Sequence, residues 1–470
     1  MLDEVEAAII TLGGLELYQR GGKLVQPLKS EFKTCGDREY KGWQLLDVTR
    51  QSLQTQLNYV AQFWQYDKRS KKFVVVNPPF DVADAYLHRQ RAWKLPRIAG
   101  IANAPFLHAD GTIHDWEGYD PVSGLICKDI QAFPSVPRSP DKAEAAAALA
   151  ELKKPLAEFP FVTGADQAAA LSAMLTAIDR RGMDIAPLHA FTAPTAGTGK
   201  GLLIAIIAAL ATGERVGPID QSRQPDEFTK CFGAELLAGT GIILIDNCEN
   251  ILEGSLLNIA VTERVFKVRV LGMSQNNPIP NNAMILVNGN NLAIGADMTR
   301  RVILCQMDAQ MERPETREFK DDQLFETVKA NRAQLVVAAL TVLRGWHIAR
   351  ATAGIKLKPC DFTEWSHRVR EALVWLGEDD PAATMEQARK DDPYRAERAA
   401  VFTEWHKALG ENPTLVKDII AAAFNYPDFY AALVTVAVAR NGKEISLERL
   451  GRWLSKNKGS IVNDLSLISA

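Results

Sequence analysis

Residues 191–203 read FTAPTAGTGKGLL, and the fold turns on whether the segment from Pro194 to Gly201 is a phosphate cradle. Such a cradle follows G-x-x-x-x-G-K-[ST]: backbone amides wrap the phosphates, the lysine meets the β and γ oxygens, and the hydroxyl binds Mg²⁺. Two fixed positions depart from this, with Pro194 in place of the first glycine and Gly201 in place of the hydroxyl residue. The setting is nevertheless the required one. LHAFTA (188–193) reads as a short apolar strand and Gly201 to Leu210 as an apolar helix, so Gly197, Gly199 and Lys200 bring close backbone approach and positive charge to a helix N-terminus. Taken alone, the loop fits a Gly-rich turn of no special function equally well. As a cradle it comprises Pro194, Thr195, Ala196, Gly197, Thr198, Gly199, Lys200, Gly201 and Leu202, and the expected ligands are ATP and Mg²⁺.

A second apolar run, GIILIDN (241–247), ends in Asp246, at the distance a second phosphate-site strand needs. A carboxylate there holds Mg²⁺ directly or through water; the competing reading is a core strand ending in a turn. Mg²⁺ keeps several waters, so one can take the place left by Gly201, and the missing polar interaction is worth about 1 kcal/mol. The expectation is weaker nucleotide affinity, not none. Asn247 follows the acid where a glutamate would activate water. Glu249 is a substitute within reach along the turn, and an asparagine that orients water is the alternative.

A third run, NAMILVNGNNLAIGADMTRRVIL (282–304), ends in asparagines and then a pair of arginines. Polar tips beside the phosphates suit a γ-phosphate sensor, Asn290 first and Asn288 second; an Asn-Gly turn between strands is the plain alternative. Arg300 and Arg301 fit a solvated helix end, or an arginine offered to a neighbouring subunit's nucleotide. Continuous apolar runs of this kind suit a parallel sheet covered by helices, whose ligands sit at the carboxyl ends of the strands.

The 470-residue chain is too long for one core, and its net charge of −3 offers no chain-wide attraction for nucleic acid or membrane. Six scattered cysteines without metal spacing suit a reducing compartment, and the N-terminal MLDEVEAAIITLGG lacks the basic region of a signal peptide, so a cytoplasmic protein with no membrane partner is expected. The organisation reads as an α/β protein: a mixed α+β N-terminal domain (1–139), a helical linker or collar (140–186), an ATPase core (187–310), a helical region (311–410) and a winged helix (411–470). In the last, SLERLGRWLSKNKGSIVNDLSLI (446–468) is expected to turn Leu447, Leu450 and Leu454 inward before a short hairpin, with Lys456 and Lys458 as phosphate contacts.

The order APTAGTGKG, GIILIDN, VFKVRVLG, NPIPNNAMILVNGNN, GADMTRR resembles the superfamily III branch of AAA+ P-loop ATPases, and more narrowly the helicase and primase-helicase proteins of prophages and mobile elements, related to poxvirus primase-helicases. The resemblance implies a homo-hexameric ring moving on single-stranded or forked DNA with ATP. It places Lys200 and Asp246 at the nucleotide, Asn290 as sensor and Arg300 as a finger acting in trans. It also implies a channel hairpin, matched by RVFKVRVLGMSQNNPIP (264–280), where Lys267 and Arg269 alternate with valines; the exposed side of an ordinary strand reads the same way. No acidic triad of a primase is evident, so a separate primase or polymerase is the expected partner. Gly201 and Asn247 favour a weakly hydrolysing initiator or scaffold as the alternative, and a signalling ATPase with no DNA role is a third reading.

Two N-terminal stretches stay open. YVAQFWQYDKRSKKF (59–73) interleaves aromatics with Lys68, Arg69, Lys71 and Lys72; this suits single-strand binding, while an amphipathic core segment with a solvated tip is the preferred reading. His108 and His114 near Asp110 read as surface polarity in a turn rather than a metal site.

Overall fold

The computed structural model describes all residues except 1, 13–14, 34–38, 90–91, 131, 221–224, 249–250, 270–275, 440–441, 443 and 469–470. Its centre is a five-stranded sheet, all parallel. In chain order the strands are Leu188–Ala193 (the loop strand), Pro218–Asp220, Ile242–Asp246 (the acid strand), Met284–Asn290 (the asparagine strand) and Val302–Gln306. Across the sheet, Pro218–Asp220 forms one edge, followed by the acid strand, the asparagine strand, the loop strand and, at the other edge, Val302–Gln306.

The asparagine strand is therefore wedged between the loop strand and the acid strand, pairing Asn290 with Ala193 and Val287 with Ile245. The loop strand is buried along its whole length, as a central parallel strand covered on both faces must be. This explains why these segments are apolar runs rather than alternating ones.

The helix Lys200–Thr212 leaves the loop strand between two left-handed glycines, Gly199 (φ 102°) and Gly213 (φ 84°), a conformation that costs a residue with a Cβ much more. The expected collar supplies the helix Gly164–Asp179, opened by a capping box between Thr163 and Asp166. Asp166 also accepts the Gln306 amide at 2.7 Å, which ties this helix to the edge strand. The expected channel segment forms antiparallel strands, Val265–Arg269 and Asn276–Pro280.

Two compact units divide the chain. The first comprises Met1–Glu249, Gly254–Leu292 and Arg301–Thr384; the second comprises Asn250–Glu253, Ala293–Arg300 and Met385–Ala470. In the second, the helices Pro393–Leu409, Val416–Ala423, Pro427–Ala437 and Leu447–Asn457 share a core of Val401, Phe402, Ile419, Phe429, Leu433, Leu450 and Val462. The helix assigned from sequence to the 311–410 region thus packs in one core with residues beyond 411. A hairpin, Ile461–Val462 with Leu465–Ser466, closes this unit on Asn463 and Asp464, both at positive φ, as a tight two-residue turn requires.

Leu447, expected inward, is 53% exposed. The inward stripe runs through Leu450, Trp453 and Asn457, which rotates it away from Leu447 about the helix axis. Among the described residues no helix is long and apolar enough to cross a membrane.

Candidate functional site

At the carboxyl ends of the central strands lies a cleft of about 360 Å³, lined by residues 196–201 of the loop and by Asp246, Asn247, Asn288, Gly289 and Asn290. Pro194 and Thr195 contribute from behind it. The Thr195 carbonyl accepts from Thr198 Oγ1 at 2.7 Å and from Lys200 Nζ at 3.3 Å, and the Pro194 carbonyl accepts from Asn291 Nδ2 at 3.2 Å. Leu202 turns instead toward Ala205, Ala209 and Phe325.

Lys200 and Asp246 meet the cleft from adjoining sides, and the strand between them ties both down. Lys200 Nζ donates to Asn290 Oδ1 at 2.8 Å, and Asn288 Nδ2 donates to Asp246 Oδ1 at 2.6 Å. Because residues two apart on a strand share a face, one asparagine strand presents one amide to the lysine and one to the acid. Asp246 also accepts the amide of Asn247 at 2.8 Å. Asn288 Oδ1 is buried and has no hydrogen-bond partner.

Lys200 is only 7% exposed, and burial holds its ammonium below the usual lysine range, with the Asp246 charge opposing that fall. Its two partners are neutral oxygens. A buried cation held this way is incompletely compensated and favours an incoming anion.

The backbone is shaped for close approach. Gly197 stands at φ 78° and Gly199 at φ 102°. A Cβ on Gly199 would lie 3.2 Å from the Phe159 ring, and one on Gly197 would lie 3.0 Å from Glu315. Gly289 is the most constrained, since a Cβ there would sit 2.6 Å from the Cys248 carbonyl oxygen. Neither Gly289 nor the approach of residues 159 and 315 is evident from sequence, because each depends on neighbours distant along the chain. Gly201 is the opposite case, with open space where a side chain would go. Asn247 (φ 52°) and Asn291 (φ 45°) both adopt the left-handed region just past the acid and asparagine strands, which asparagine tolerates better than most residues.

The remaining expected residues belong to other elements or lie outside the described residues. Glu249 lies outside the described residues. The arginine pair divides: Arg301 belongs to the first unit and donates to Asn258 Oδ1, while Arg300 belongs to the second, 3.6 Å from Asp297. Lys267 is exposed, and the side chain of Arg269 lies outside the described part of its strand. Val265, read as alternating with the basic residues, lies two residues from Lys267 on the same strand and is 51% exposed, whereas Phe266 points inward at 7%. Lys456, above the Tyr394 ring at 5.9 Å, and Lys458 are exposed on the second unit.

The histidine turn differs from its expected surface character. His114 is fully buried, stacked with Phe106 and close to Trp116, and the acid beside the histidines is Asp120, 3.8 Å from His108, rather than Asp110. One potential ligand atom from each of His108, His114 and Asp120 lies within 4.8 Å of the others. The Asp120 carboxylate is turned to the Val122 and Ser123 amides, as a turn-fixing acid would be.

No family model and no curated protein matches the chain. Among solved structures it is similar to the apo A form of the NrS-1 C-terminal region (11% identity, 98% of each chain covered, TM-score 0.43) and to a second apo A-form structure of that region, titled as residues 305-718 (12%, 99% of each, 0.41). It is also similar to a structure titled "SCCmec type IV Cch - active helicase" (9% identity, 84% of this chain and 81% of that one, TM-score 0.34). All three TM-scores lie below 0.5, a likeness of coarse outline only.

Proposed function

We propose that the chain is a P-loop ATPase of the AAA+ kind, acting as a replicative DNA helicase of a prophage or mobile element. The observation that carries this reading is the meeting of Lys200 and Asp246 at one cleft, each held by an asparagine of the strand between them. A lysine at a helix N-terminus beside glycines of positive φ suits a polyphosphate, and the sheet order places the acid strand one strand removed from the loop strand.

In this reading the loop amides and Lys200 hold the β and γ phosphates of ATP, and Asp246 holds Mg²⁺. Bound Mg²⁺ supplies charge neutralisation on the phosphates. The open space at Gly201 leaves room for water among the ligands. Asn290, released from Lys200 when the lysine turns to phosphate, serves as the sensor. Asn288 orients Asp246, and Asn247 or Glu249 orients the attacking water. The ring, the DNA track and the mobile-element setting rest on the motif order, with Arg300 acting on a neighbouring subunit's nucleotide and Lys267 and Arg269 gripping the strand.

A second reading, a weakly hydrolysing initiator or scaffold that loads a primase or polymerase, is favoured by the absence of a hydroxyl at Gly201 and of a glutamate at Asn247. ATP hydrolysis with and without single-stranded DNA, on the wild type and Lys200→Ala, separates the two. The helicase reading expects a DNA-stimulated rate that Lys200→Ala removes. Equal background rates would leave only the scaffold.

A further inference from the structure

The segment 59–73, for which a core position is the reading preferred from sequence, is on the outside of the molecule. It forms an antiparallel hairpin, Phe63–Asp67 with Lys72–Val76, in register Trp64 with Val75 and Tyr66 with Phe73. At its base Phe63 packs against the N-terminal core; beyond it Gln65 and Val74 of the same face are exposed too, and the opposite face is turned wholly outward. That face carries Trp64 (57% exposed), Tyr66 (49%), Phe73 (65%) and Val75 (57%), with Tyr66 and Phe73 edge to face at 5.4 Å.

Apolar faces of this kind on a charged protein mark a binding surface, and the turn chemistry states what it binds. Lys68, Arg69 and Lys71 occupy the tip and Lys72 opens the returning strand, all exposed. The single acid between Ala61 and Pro79, Asp67, is turned back onto the amides of Arg69 (2.9 Å) and Ser70 (3.2 Å). Its carboxylate thus shapes the turn, and the tip keeps an excess of positive charge.

We infer that the outward face of this hairpin is a docking site for single-stranded nucleic acid, with unpaired bases stacking on Trp64, Tyr66 and Phe73 and the backbone phosphates following the basic tip. Solvent-exposed rings stack on bases whose faces are not already covered, which unpaired strands offer along their length and a duplex does not, and every base sequence has such faces. The inference deepens the helicase reading by giving the track an entry surface away from the ATPase cleft, and in that respect it rests on it.

The test is fluorescence anisotropy of a labelled oligo(dT) with the full chain. Lys200→Ala serves as a background in which hydrolysis plays no part, and thermal melting checks the fold of each variant. Trp64→Ala should weaken binding by about 5- to 150-fold, the range of single base-stacking losses, and Trp64→Phe should restore most of it. Replacing the four basic residues of the hairpin by glutamine should lower the slope of log affinity against log salt by about 0.7 for each phosphate no longer neutralised. Unchanged affinity in Trp64→Ala/Tyr66→Ala/Phe73→Ala overturns the inference and leaves the helicase reading standing. The same result together with a change in oligomeric state would assign the face to contacts between copies of the chain. No oligo(dT) binding by the wild type would overturn both readings.

Discussion

At the residue scale, chemistry concentrates in a few side chains whose neighbours explain their identity. Lys200 is buried beside neutral acceptors, so on the proposed reading its removal would strip charge from the phosphates. Lys200→Ala is expected to lower ATP turnover by about 10²- to 10³-fold while leaving the melting temperature near that of the wild type, as read by a coupled phosphate-release assay and a thermal melt. Gly201 has open space around it; Gly201→Ser is expected to fold and to tighten Mg²⁺-ATP binding by about fivefold, the worth of one polar interaction, as measured with a fluorescent nucleotide. Gly289 is the reverse. Gly289→Ala drives a methyl to 2.6 Å from the Cys248 carbonyl and is expected to destabilise the chain by about 1–3 kcal/mol, seen as a shift in the urea midpoint. Loss of nucleotide affinity without loss of stability in Gly289→Ala would contradict that packing account.

At the element scale, the sheet positions the site and also sets its acid sensitivity. His189 is the second residue of the loop strand, wholly buried, 3.0 Å from Ser172 Oγ, and burial pushes it from the ordinary 6.5 down to about 3. The folded state holds the neutral ring, so its contribution is complete above about pH 6.5 and is lost as the pH falls from there toward 3. Urea unfolding between pH 7 and 4 is expected to fall more steeply for the wild type than for His189→Gln, and parallel curves would contradict this. Much of this element is legible in the sequence. The apolar runs 188–193, 242–246 and 284–287 are strands because buried parallel strands admit no alternation, and their polar ends at Asp246, Asn288 and Asn290 mark the cleft. The hairpin 63–76 and His114 escape a sequence reading for one reason. An interleaved aromatic stretch and a histidine in a turn carry no periodic signal of what packs against them, and burial of His114 is decided by partners, Phe106 and Trp116, that follow no helical or strand repeat.

At the scale of the whole molecule, the two compact units divide the proposed machinery between them: Lys200, Asp246 and Asn290 belong to the first and Arg300 to the second. The second unit is assembled from Asn250–Glu253, Ala293–Arg300 and the C-terminal segment, and such discontinuity leaves no trace in local composition. If Arg300 acts across a ring, Arg300→Ala is expected to lower DNA-stimulated turnover by about 10³-fold or more without changing nucleotide affinity. Mixing it with Lys200→Ala should then restore activity at the interfaces that pair an intact cleft with an intact arginine; no recovery at any ratio would contradict a trans role. The most direct test of the central claim is equilibrium binding of a fluorescent ATP analogue to the wild type, Lys200→Ala and Asp246→Ala, with and without Mg²⁺. Convergence on one nucleotide predicts that Lys200→Ala weakens binding under both conditions and that Asp246→Ala abolishes the gain that Mg²⁺ gives the wild type. Wild-type affinity in Lys200→Ala, or an undiminished Mg²⁺ gain in Asp246→Ala, would contradict it.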